Sequence, residues 1–446
     1  MVQVEPNYVS IFDEEDDGPE HVIFKGGVGS AFGNGGDDRF VFERYVQNVD
    51  MGGGDDTVVF KNNAGASSVI LGNGDDRILG ANPDKGQNAG YIGSIDAGRG
   101  DDTVIINGAG TVDLGAGFDV LVANGYVRTV EAGRDDDIVI LRGGANTVDL
   151  GGGDDFLRAE RYVNTVDAGR GDDIVRLLGG ANTVDLGSGD DQLRSDRYIN
   201  TVEAGRGNDF VRLDGGAGTV NLGRGDDVMT AGAWVNRVDA GSGIDAVFLN
   251  GGGGTVDLGN SGDLLVAEGY VNTVDAGRGE DLVVLTAGGG RIDLGAGDDA
   301  FLSTAGWVNE VNGGNGRDAI GLAGGTARGG NGDDLIATDG NSTTFAFGDS
   351  GDDLFLFLAT EQNQYNVFNG GAEDERDTLV IFVDEFDADD IADLQDDLAG
   401  YANGQSAYLS QFNIRIEDIE RVVVRTPPSE EEPSMTLFTA NLDAMV

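Results

Sequence analysis

The stretch NTVDLGGGDDFLRAERYVNTVDAGRGDDIVRL occupies residues 146–177 and contains almost two copies of one 18-residue unit. The unit recurs without a slip between residues 111 and 299, and eleven aspartates hold its register. Each has a glycine four residues earlier, and nine have a second glycine two residues earlier, with Asp135 and Ser261 as the exceptions. Repeats of this kind predict an architecture in which each unit forms one coil and the coils stack.

Each unit is predicted to contain two short strands and two turns, because alternation places Val148 and Leu150 on one side and Thr147 and Asp149 on the other. The inward series is almost pure valine: Val112, Val130, Val148, Val166, Val184, Val202, Val220, Val238, Val256, Val274 and Ile292. We therefore expect an all-β, right-handed parallel β-roll or β-solenoid with 18-residue coils. Neighbouring coils would lie about 4.8 Å apart, so that the stack forms a rod.

A second period of 36 residues overlies the first. The next inward position alternates between leucine and alanine, from Leu114 and Ala132 onward, which is how stacked layers fill a core without voids. At the second turn, aromatic residues alternate with glycines: Tyr126, Tyr162, Tyr198, Trp234 and Tyr270 against Gly144, Gly180, Gly216, Gly252 and Gly288. We interpret this alternation as packing room for the rings, with an aromatic stripe that binds sugars as the alternative.

Composition excludes several classes of protein. Eighty acidic residues against 28 basic ones give a net charge of −52, which excludes nucleic-acid binding through phosphate neutralisation. The absence of cysteine excludes disulfides, zinc thiolates and cysteine catalysis, and the single histidine, His21, excludes a histidine metal cluster. No apolar run is long enough to span a membrane, and the acidic N-terminal stretch does not have the pattern of a secretory signal peptide.

The aspartate register predicts calcium. Like charges about 5 Å apart repel by roughly 3 kcal/mol at an effective dielectric of about 20. A domain that is stable by about 5–15 kcal/mol cannot carry a long row of such charges without a counterion. Calcium suits carboxylates combined with the carbonyls of glycine turns. The predicted ligands are Asp38, Asp56, Asp76, Asp102, Asp119, Asp137, Asp155, Asp173, Asp191, Asp209, Asp227, Asp245, Asp263, Asp281, Asp299, Asp318, Asp334 and Asp353.

The repeats resemble those of the RTX (repeats-in-toxin) family, whose nonapeptide is G-G-x-G-x-D followed by a hydrophobic residue. GGNGDDLIA (329–337) matches this pattern throughout, and GGNGRDAIG (313–321) matches it nearly as well. The resemblance implies a calcium-bound parallel β-roll. In the central array, leucine or alanine replaces the first glycine, as in LGGGDDFLR (150–158). The second turn lacks the nonapeptide, so we expect a single row of calcium ions.

Three regions are predicted: an N-terminal cap (1–32), the RTX-like β-solenoid (33–358), and a C-terminal cap with a secretion signal (359–446). The spacing within 387–400 predicts a helix, and 412–426 reads as strands that close the solenoid, which together form a small α+β cap. The final residues, 442–446, read LDAMV and resemble the terminal signal of RTX proteins exported by type I secretion. We therefore expect an extracellular or cell-surface protein.

The predicted function is structural. No catalytic motif stands out from the repeats, so we expect no enzyme activity. The leading hypothesis is a secreted, calcium-dependent RTX structural protein whose rigid rod serves a cell-surface layer, an extracellular matrix fibre or an adhesive coat. Self-association is expected through an apolar face formed by Val120, Val122, Ile138, Ile140, Ala246, Phe248, Leu264, Val266, Leu282, Val284, Ala300 and Leu302.

The alternative function is a calcium-dependent binding protein for cell-surface polysaccharide, ice or mineral. It would use an outward ladder of threonines beside acids. The threonines are Thr129, Thr147, Thr165, Thr183, Thr201, Thr219, Thr255 and Thr273, and the acids are Glu131, Asp149, Asp167, Asp185, Glu203, Asp239, Asp257 and Asp275. A solenoid-borne enzyme that modifies polysaccharide is the remaining alternative.

Overall fold

The computed structural model describes residues 2–5, 7–13, 18–80, 90–360, 363–371, 376–383, 388–399, 401 and 406–425. The chain forms two compact units, Met1–Leu222 and Gly223–Val446. Within each unit, strands rich in Val, Ile and Leu alternate with glycine turns, so the chain is almost entirely β-structure. Each unit is a right-handed parallel β-solenoid with coils of about 18 residues, as the repeats predict.

The strands that begin in the first unit are β1 (Val2–Glu5), β2 (Val9–Asp13), β3 (His21–Phe24), β4 (Val28–Phe32), β5 (Arg39–Phe42), β6 (Val46–Asp50), β7 (Thr57–Phe60), β8 (Ala66–Asn73), β9 (Arg77–Leu79), β10 (Ile92–Arg99), β11 (Thr103–Ile106), β12 (Ala109–Ala116), β13 (Val120–Ala123), β14 (Val127–Arg134), β15 (Ile138–Leu141), β16 (Ala145–Gly152), β17 (Phe156–Ala159), β18 (Val163–Asp167), β19 (Ile174–Leu177), β20 (Ala181–Asp185), β21 (Gln192–Ser195), β22 (Ile199–Arg206), β23 (Phe210–Leu213) and β24 (Ala217–Arg224). The odd-numbered strands from β1 to β23 form one parallel sheet, sheet 1, in chain order. The even-numbered strands from β2 to β22 form a second parallel sheet, sheet 2.

The strands of the second unit are β25 (Val228–Ala231), β26 (Val235–Ser242), β27 (Ala246–Leu249), β28 (Gly253–Asp257), β29 (Leu264–Ala267), β30 (Val271–Asp275), β31 (Leu282–Leu285), β32 (Gly289–Ala296), β33 (Ala300–Ser303), β34 (Val308–Asn315), β35 (Ala319–Leu322), β36 (Gly325–Asn331), β37 (Leu335–Asp339), β38 (Thr344–Ser350), β39 (Leu354–Leu358), β40 (Asn366–Gly371), β41 (Thr378–Phe382), β42 (Ser406–Leu409), β43 (Ile414–Glu417) and β44 (Arg421–Arg425). Among the described residues of this unit there is one helix, α1, which spans Ala388–Asp397. The same two-sheet arrangement recurs in this unit. Its sheet 1 contains the odd-numbered strands from β25 to β41 and then β44. Its sheet 2 contains the even-numbered strands from β26 to β40 and then β43.

The core of each unit lies between its two sheets. Val148, Leu150, Val166 and Ala168 are fully buried, so the predicted valine series and the leucine–alanine alternation are confirmed here. Equivalent residues pair directly across neighbouring coils, as Val148 does with Val166. This register keeps every coil's apolar side chains on the same inward face.

The regions predicted as caps contain strands of the same two sheets. Near the start of the chain, β1 pairs in parallel with β3, and β2 pairs in parallel with β4. Near the end, β43 and β44 extend the two sheets, as the sequence predicts, and β42 is antiparallel to β43. The predicted helix is confirmed as α1. Tyr401 follows it, and its Oη accepts a hydrogen bond of 2.8 Å from the backbone N–H of Ile419. The predicted secretion signal at 442–446 lies outside the described residues.

The aromatic residues of the second turn are not packed as the sequence analysis expects. Tyr126, Tyr162 and Tyr198 are 53%, 52% and 49% exposed. The alternating glycines have a different cause, because Gly144 and Gly180 have φ values of +79° and +75°. A Cβ on Gly144 would also collide with the backbone carbonyl of the next coil. Glycine is therefore required by the backbone at this turn, and the aromatic side chains are only about half buried.

Candidate metal centre

The predicted metal ligands form a continuous buried row in each unit. The members in the first unit, from Asp38 to Asp209, and those in the second, from Asp227 to Asp353, are at most 2% exposed. In coil after coil the aspartate stands directly before a strand of sheet 1, as Asp155 stands before β17. We call these aspartates the inner row. The repeat places each of them where the turn ends and the strand begins.

One oxygen of each inner-row carboxylate is satisfied by the neighbouring coil. The backbone N–H of Asp119 donates to Oδ1 of Asp137 over 2.8 Å, and the N–H of Asp137 donates to Oδ1 of Asp155 over 2.7 Å. The same bond links successive members from Asp38 to Asp209 and from Asp227 to Asp353. Each aspartate therefore acts as a side-chain acceptor that ties two coils together.

Three further acids extend the inner row and were missed in the sequence analysis. Asp353 N–H donates to Oδ1 of Asp377 over 2.8 Å, and Asp377 N–H donates to Oε2 of Glu420 over 2.7 Å. At the other end, the N–H of Glu20 donates to Oδ1 of Asp38. The turns before these three acids are longer or irregular, so the acids do not keep the 18-residue register. Each of the three acids nevertheless stands directly before a strand of sheet 1, and an acid directly before an apolar run is a pattern that the sequence contains.

The second oxygen of most inner-row carboxylates is buried without a hydrogen-bond partner. This is true of Oδ2 in fourteen members: Asp56, Asp76, Asp102, Asp119, Asp137, Asp155, Asp173, Asp191, Asp245, Asp263, Asp281, Asp299, Asp318 and Asp334. A buried anionic oxygen without a donor is costly, because nothing replaces the water that it loses. Such oxygens call for either a proton or a cation.

The pKa values of the inner row also indicate that these oxygens need a proton or a cation. Burial raises the pKa of Asp56, Asp102, Asp137 and Asp191 from 3.8 to about 8, with neighbouring carboxylates adding to the rise and the inter-coil hydrogen bond opposing it. Burial likewise raises the pKa of Asp334 to about 7. The metal-free row is therefore poorly suited to full ionisation at neutral pH.

In several coils a glycine five residues before the aspartate brings the backbone close to the carboxylate. Two of these coils, in the second unit, are the nonapeptides that match the RTX pattern. A Cβ on Gly313 would collide with both Oδ2 of Asp318 and the carbonyl oxygen of Gly329. A Cβ on Gly329 would lie less than 3.0 Å from both Oδ2 of Asp334 and the carbonyl oxygen of Gly348. In the central array a leucine or alanine side chain occupies this position, so the eighteen predicted sites are not equivalent.

These oxygens fit calcium in their chemistry. Carboxylate and carbonyl oxygens are the ligands that calcium prefers. Asp318 and Asp334, with the carbonyls of Gly329 and Gly348, are the residues that would hold it. Among the described residues, no three His, Cys, Asp or Glu side chains form a ready-made metal cluster. That finding is consistent with the repeat, since each coil contributes one inner-row carboxylate and the backbone would contribute the remaining protein ligands.

Glycine at the turn is a geometric requirement. Gly151 has a φ of +98°, and a Cβ there would collide with the carbonyl of Gly133 in the preceding coil. The two exceptions to the glycine pattern, Asp135 and Ser261, also adopt positive φ values, 72° and 85°. A side chain in this region of φ is strained, and serine tolerates it less readily than glycine.

A second, exposed row of acids runs beside the inner row. In the inner row, the N–H of one coil donates to the carboxylate of the following coil. In the outer row it donates to the carboxylate of the preceding coil, as the N–H of Asp172 does to Oδ1 of Asp154 over 2.8 Å. Where Arg317 occupies this outer row, its Nη2 lies 2.7 Å from Oδ2 of Asp298. The backbone and side-chain hydrogen bonds from Arg317 lower the pKa of Asp298. The outer row is therefore neutralised locally at such coils, whereas no ion pair among the described residues reaches the fourteen inner-row carboxylates named above.

The comparisons with known proteins show no family. No protein-family profile matches this chain, and no curated protein matches it. One solved structure that it matches is a hyperactive, Ca²⁺-dependent, β-helical antifreeze protein from an Antarctic bacterium, at 17% identity. The match covers 95% of this chain and 96% of that one, with a TM-score of 0.25. The resemblance to the RTX family therefore stays a prediction from the repeats. Across the described residues, no helix is long and apolar enough to span a membrane.

Proposed function

We propose that this chain is a secreted structural protein of RTX type whose β-solenoid becomes stable when calcium neutralises the inner row. The observation that carries the proposal is the set of fourteen buried Oδ2 atoms that have no hydrogen-bond partner. Burial raises the pKa of these carboxylates to between about 6 and about 8, so they are only partly protonated near neutral pH and a cation is needed to balance the ionised ones. Calcium modules outside cells bind at about 10⁻⁴–10⁻³ M, which matches a protein that folds after export.

Self-association is part of the same proposal, with a second copy of this chain as the partner. The outward residues of sheet 1 include Val266 and Val284, which lie in neighbouring strands and pair directly. Leu282 beside them is 41% exposed. Apolar side chains on several neighbouring strands make a continuous patch of the kind that partners cover.

Two arginines on the outward side of sheet 1 in the first unit have acidic partners within their own chain. Arg158 pairs with Glu160 over 3.3 Å, and Arg212 pairs with Asp214 over 3.0 Å. The charges of these two arginines are therefore balanced before any contact forms. A second copy would meet apolar side chains and neutral ion pairs, which are easier to cover than isolated charges.

Export by a type I system and an extracellular location complete the proposal, as the repeats and the terminal LDAMV motif suggest. We further propose that the chain has no catalytic activity. Paired acids such as Asp154 and Asp155 recur in coil after coil, so no pair is set apart as a hydrolytic site.

A binding function through sheet 2 is the second candidate. Thr147 and Thr165 stand directly opposite each other in neighbouring strands. Nδ2 of Asn146 donates to Oγ1 of Thr147 over 3.1 Å, and the same pattern recurs at Asn164. This side-chain ladder is regular enough to present a repeating surface to ice, mineral or polysaccharide. An ice-recrystallisation assay and a calcium-mineral adsorption assay would test it, and inactivity in both would remove those two ligands.

The calcium proposal is tested by circular dichroism at pH about 7.5. The protein is prepared in excess EGTA and titrated with calcium, and magnesium serves as the control ion. We expect the β-signal to develop with calcium at sub-millimolar to millimolar concentration and to develop far less with magnesium, which demands tighter octahedral geometry. A full β-signal in EGTA, or equal effects of the two ions, would contradict the proposal.

A further inference from the structure

The second turn of the first unit presents a row of exposed aromatic side chains. The row consists of Tyr8, Tyr45, Tyr91, Tyr126, Tyr162 and Tyr198, and each is between 49% and 71% exposed. Exposed rings in such a regular row are not explained by the hydrophobic core. Tyrosines in this position are typical of surfaces that contact a partner, because the ring is apolar and its hydroxyl is polar.

The backbone holds these rings across the solenoid. Oη of Tyr198 lies 3.0 Å from the place where a Cβ on Gly218 would stand, and Oη of Tyr91 lies 3.1 Å from the same point on Gly110. The hydroxyl groups of these two tyrosines therefore lie over a glycine of the following coil, while their side chains remain 49% and 60% exposed. Because Tyr162 and Tyr198 are two coils apart, their spacing is about 10 Å at about 4.8 Å per coil. That spacing is comparable with a disaccharide unit of an extended polysaccharide.

Arginines accompany the rings at three turns. The sequences ERYV (43–46), ERYV (160–163) and DRYI (196–199) place an arginine directly before the tyrosine. A groove of about 970 Å³ is lined by Tyr162, Tyr198, Arg142, Arg161 and Arg197 among others. A second groove of about 720 Å³ lies at the first of these turns and includes Tyr8, Tyr45, Lys25 and Arg44. Both grooves thus lie at arginine–tyrosine pairs.

The cations of the larger groove are available to a ligand. Arg142, Arg161 and Arg197 are exposed, and none has an ion pair within the part of the chain that the structure describes. Nη1 of Arg142 donates to Oδ1 of Asn124 over 2.7 Å. Three guanidinium groups in one groove stand out in a chain with a net charge of −52. Such groups recognise carboxylates and sulfates through paired hydrogen bonds.

We propose that this arginine–tyrosine groove binds an anionic polysaccharide that carries carboxylate groups. The apolar face of a pyranose ring packs on Tyr162 and Tyr198, and sugar carboxylates pair with Arg161 and Arg197. The proposal goes beyond the structural function above, since the groove lies on the second turn and shares no residue with the inner row. It differs as well from the threonine ladder of sheet 2.

The test is isothermal titration calorimetry of the intact, calcium-loaded protein with hexagalacturonate. We expect binding that the double variant Tyr162→Ala/Tyr198→Ala weakens by at least about tenfold, as removal of central aromatic contacts does elsewhere. Tyr162→Phe/Tyr198→Phe should retain most of the affinity because the rings remain. Arg161→Gln/Arg197→Gln should weaken binding similarly, whereas Arg176→Gln, an exposed arginine on sheet 1, should not.

Competing ligands decide the class of polymer. A neutral cello-oligosaccharide of equal length that binds as tightly would overturn the role of the arginines. Tighter binding of single-stranded oligothymidylate, which also offers rings and anions, would overturn the polysaccharide. Circular dichroism of each sample shows whether it is folded. A folded protein that binds no hexagalacturonate contradicts this inference, while an unfolded one in calcium contradicts the proposed function instead.

Discussion

Replacing Asp334 by asparagine should change stability in opposite directions with and without calcium. Asp334 accepts a hydrogen bond of 2.8 Å at Oδ1 from Asp318 N–H, and its own N–H donates to Oδ1 of Asp353 over 2.8 Å. Asparagine keeps both bonds, since its side-chain oxygen remains an acceptor. What the substitution removes is the buried charge and the second carboxylate oxygen, Oδ2, which has no hydrogen-bond partner.

The expected magnitude follows from the pKa. Burial raises the pKa of Asp334 from 3.8 to about 7, with the charges of Asp318, Asp333 and Asp349 adding to the rise. At about 1.36 kcal/mol for each pKa unit, ionising this carboxyl costs the metal-free fold about 4 kcal/mol well above pH 7, as an upper value. Because the folded pKa is the higher one, this loss is absent below pH about 4 and grows as the pH rises towards about 7.

The assay is urea unfolding in EGTA at pH about 4.5 and about 8, followed by circular dichroism. Asp334→Asn should be more stable than the wild type at the higher pH and gain little at the lower one, because protonated aspartic acid carries no charge. In millimolar calcium, the same variant should be less stable and should bind calcium more weakly, since a ligand oxygen is lost.

The matched control is Asp333→Asn. Asp333 is the exposed outer-row neighbour, and its Oδ1 accepts a hydrogen bond of 2.9 Å from Asp352 N–H. We expect only a small change from this variant in either condition, because water screens an exposed charge. The reasoning fails if Asp334→Asn gains equally at both pH values, or if it stabilises the calcium-loaded protein as well.

Three other outcomes are expected. Ser261→Gly should stabilise the second unit by about 1 kcal/mol in thermal unfolding, because glycine relieves the strain of a positive φ. The control Ser242→Gly, between two turn glycines, should destabilise the unit by about 0.5–1 kcal/mol. Changes of the same sign in both variants would contradict the argument that this turn requires glycine. Val266→Lys with Val284→Lys should leave calcium-dependent folding intact and abolish concentration-dependent light scattering, and a wild type that stays monomeric would contradict self-association. Deleting residues 427–446 should retain the protein inside the producing cell, measured by immunoblotting of medium and cells, with normal secretion as the contrary result.

The sequence by itself determined the coil and its core. An 18-residue period with valine at one position cannot bury that valine except by stacking, and Val148 is fully buried as that argument requires. The period also placed the inner row, since residues in equivalent positions of stacked coils must form a line. Where the period is interrupted, the prediction failed, which is why Asp377 and Glu420 were missed.

Only the tertiary structure decided what each row does. Two acids in the same turn, such as Asp154 and Asp155, look alike in the sequence, yet Asp155 is buried and Asp154 is exposed. The sequence predicted that the second-turn tyrosines are packed, whereas the structure leaves them about half exposed. The reason is physical. A repeat predicts which residues occupy equivalent positions in stacked coils. How deeply those residues are buried depends on how the backbone of neighbouring coils packs around them. Desolvation, hydrogen-bond direction and pKa all follow from that burial.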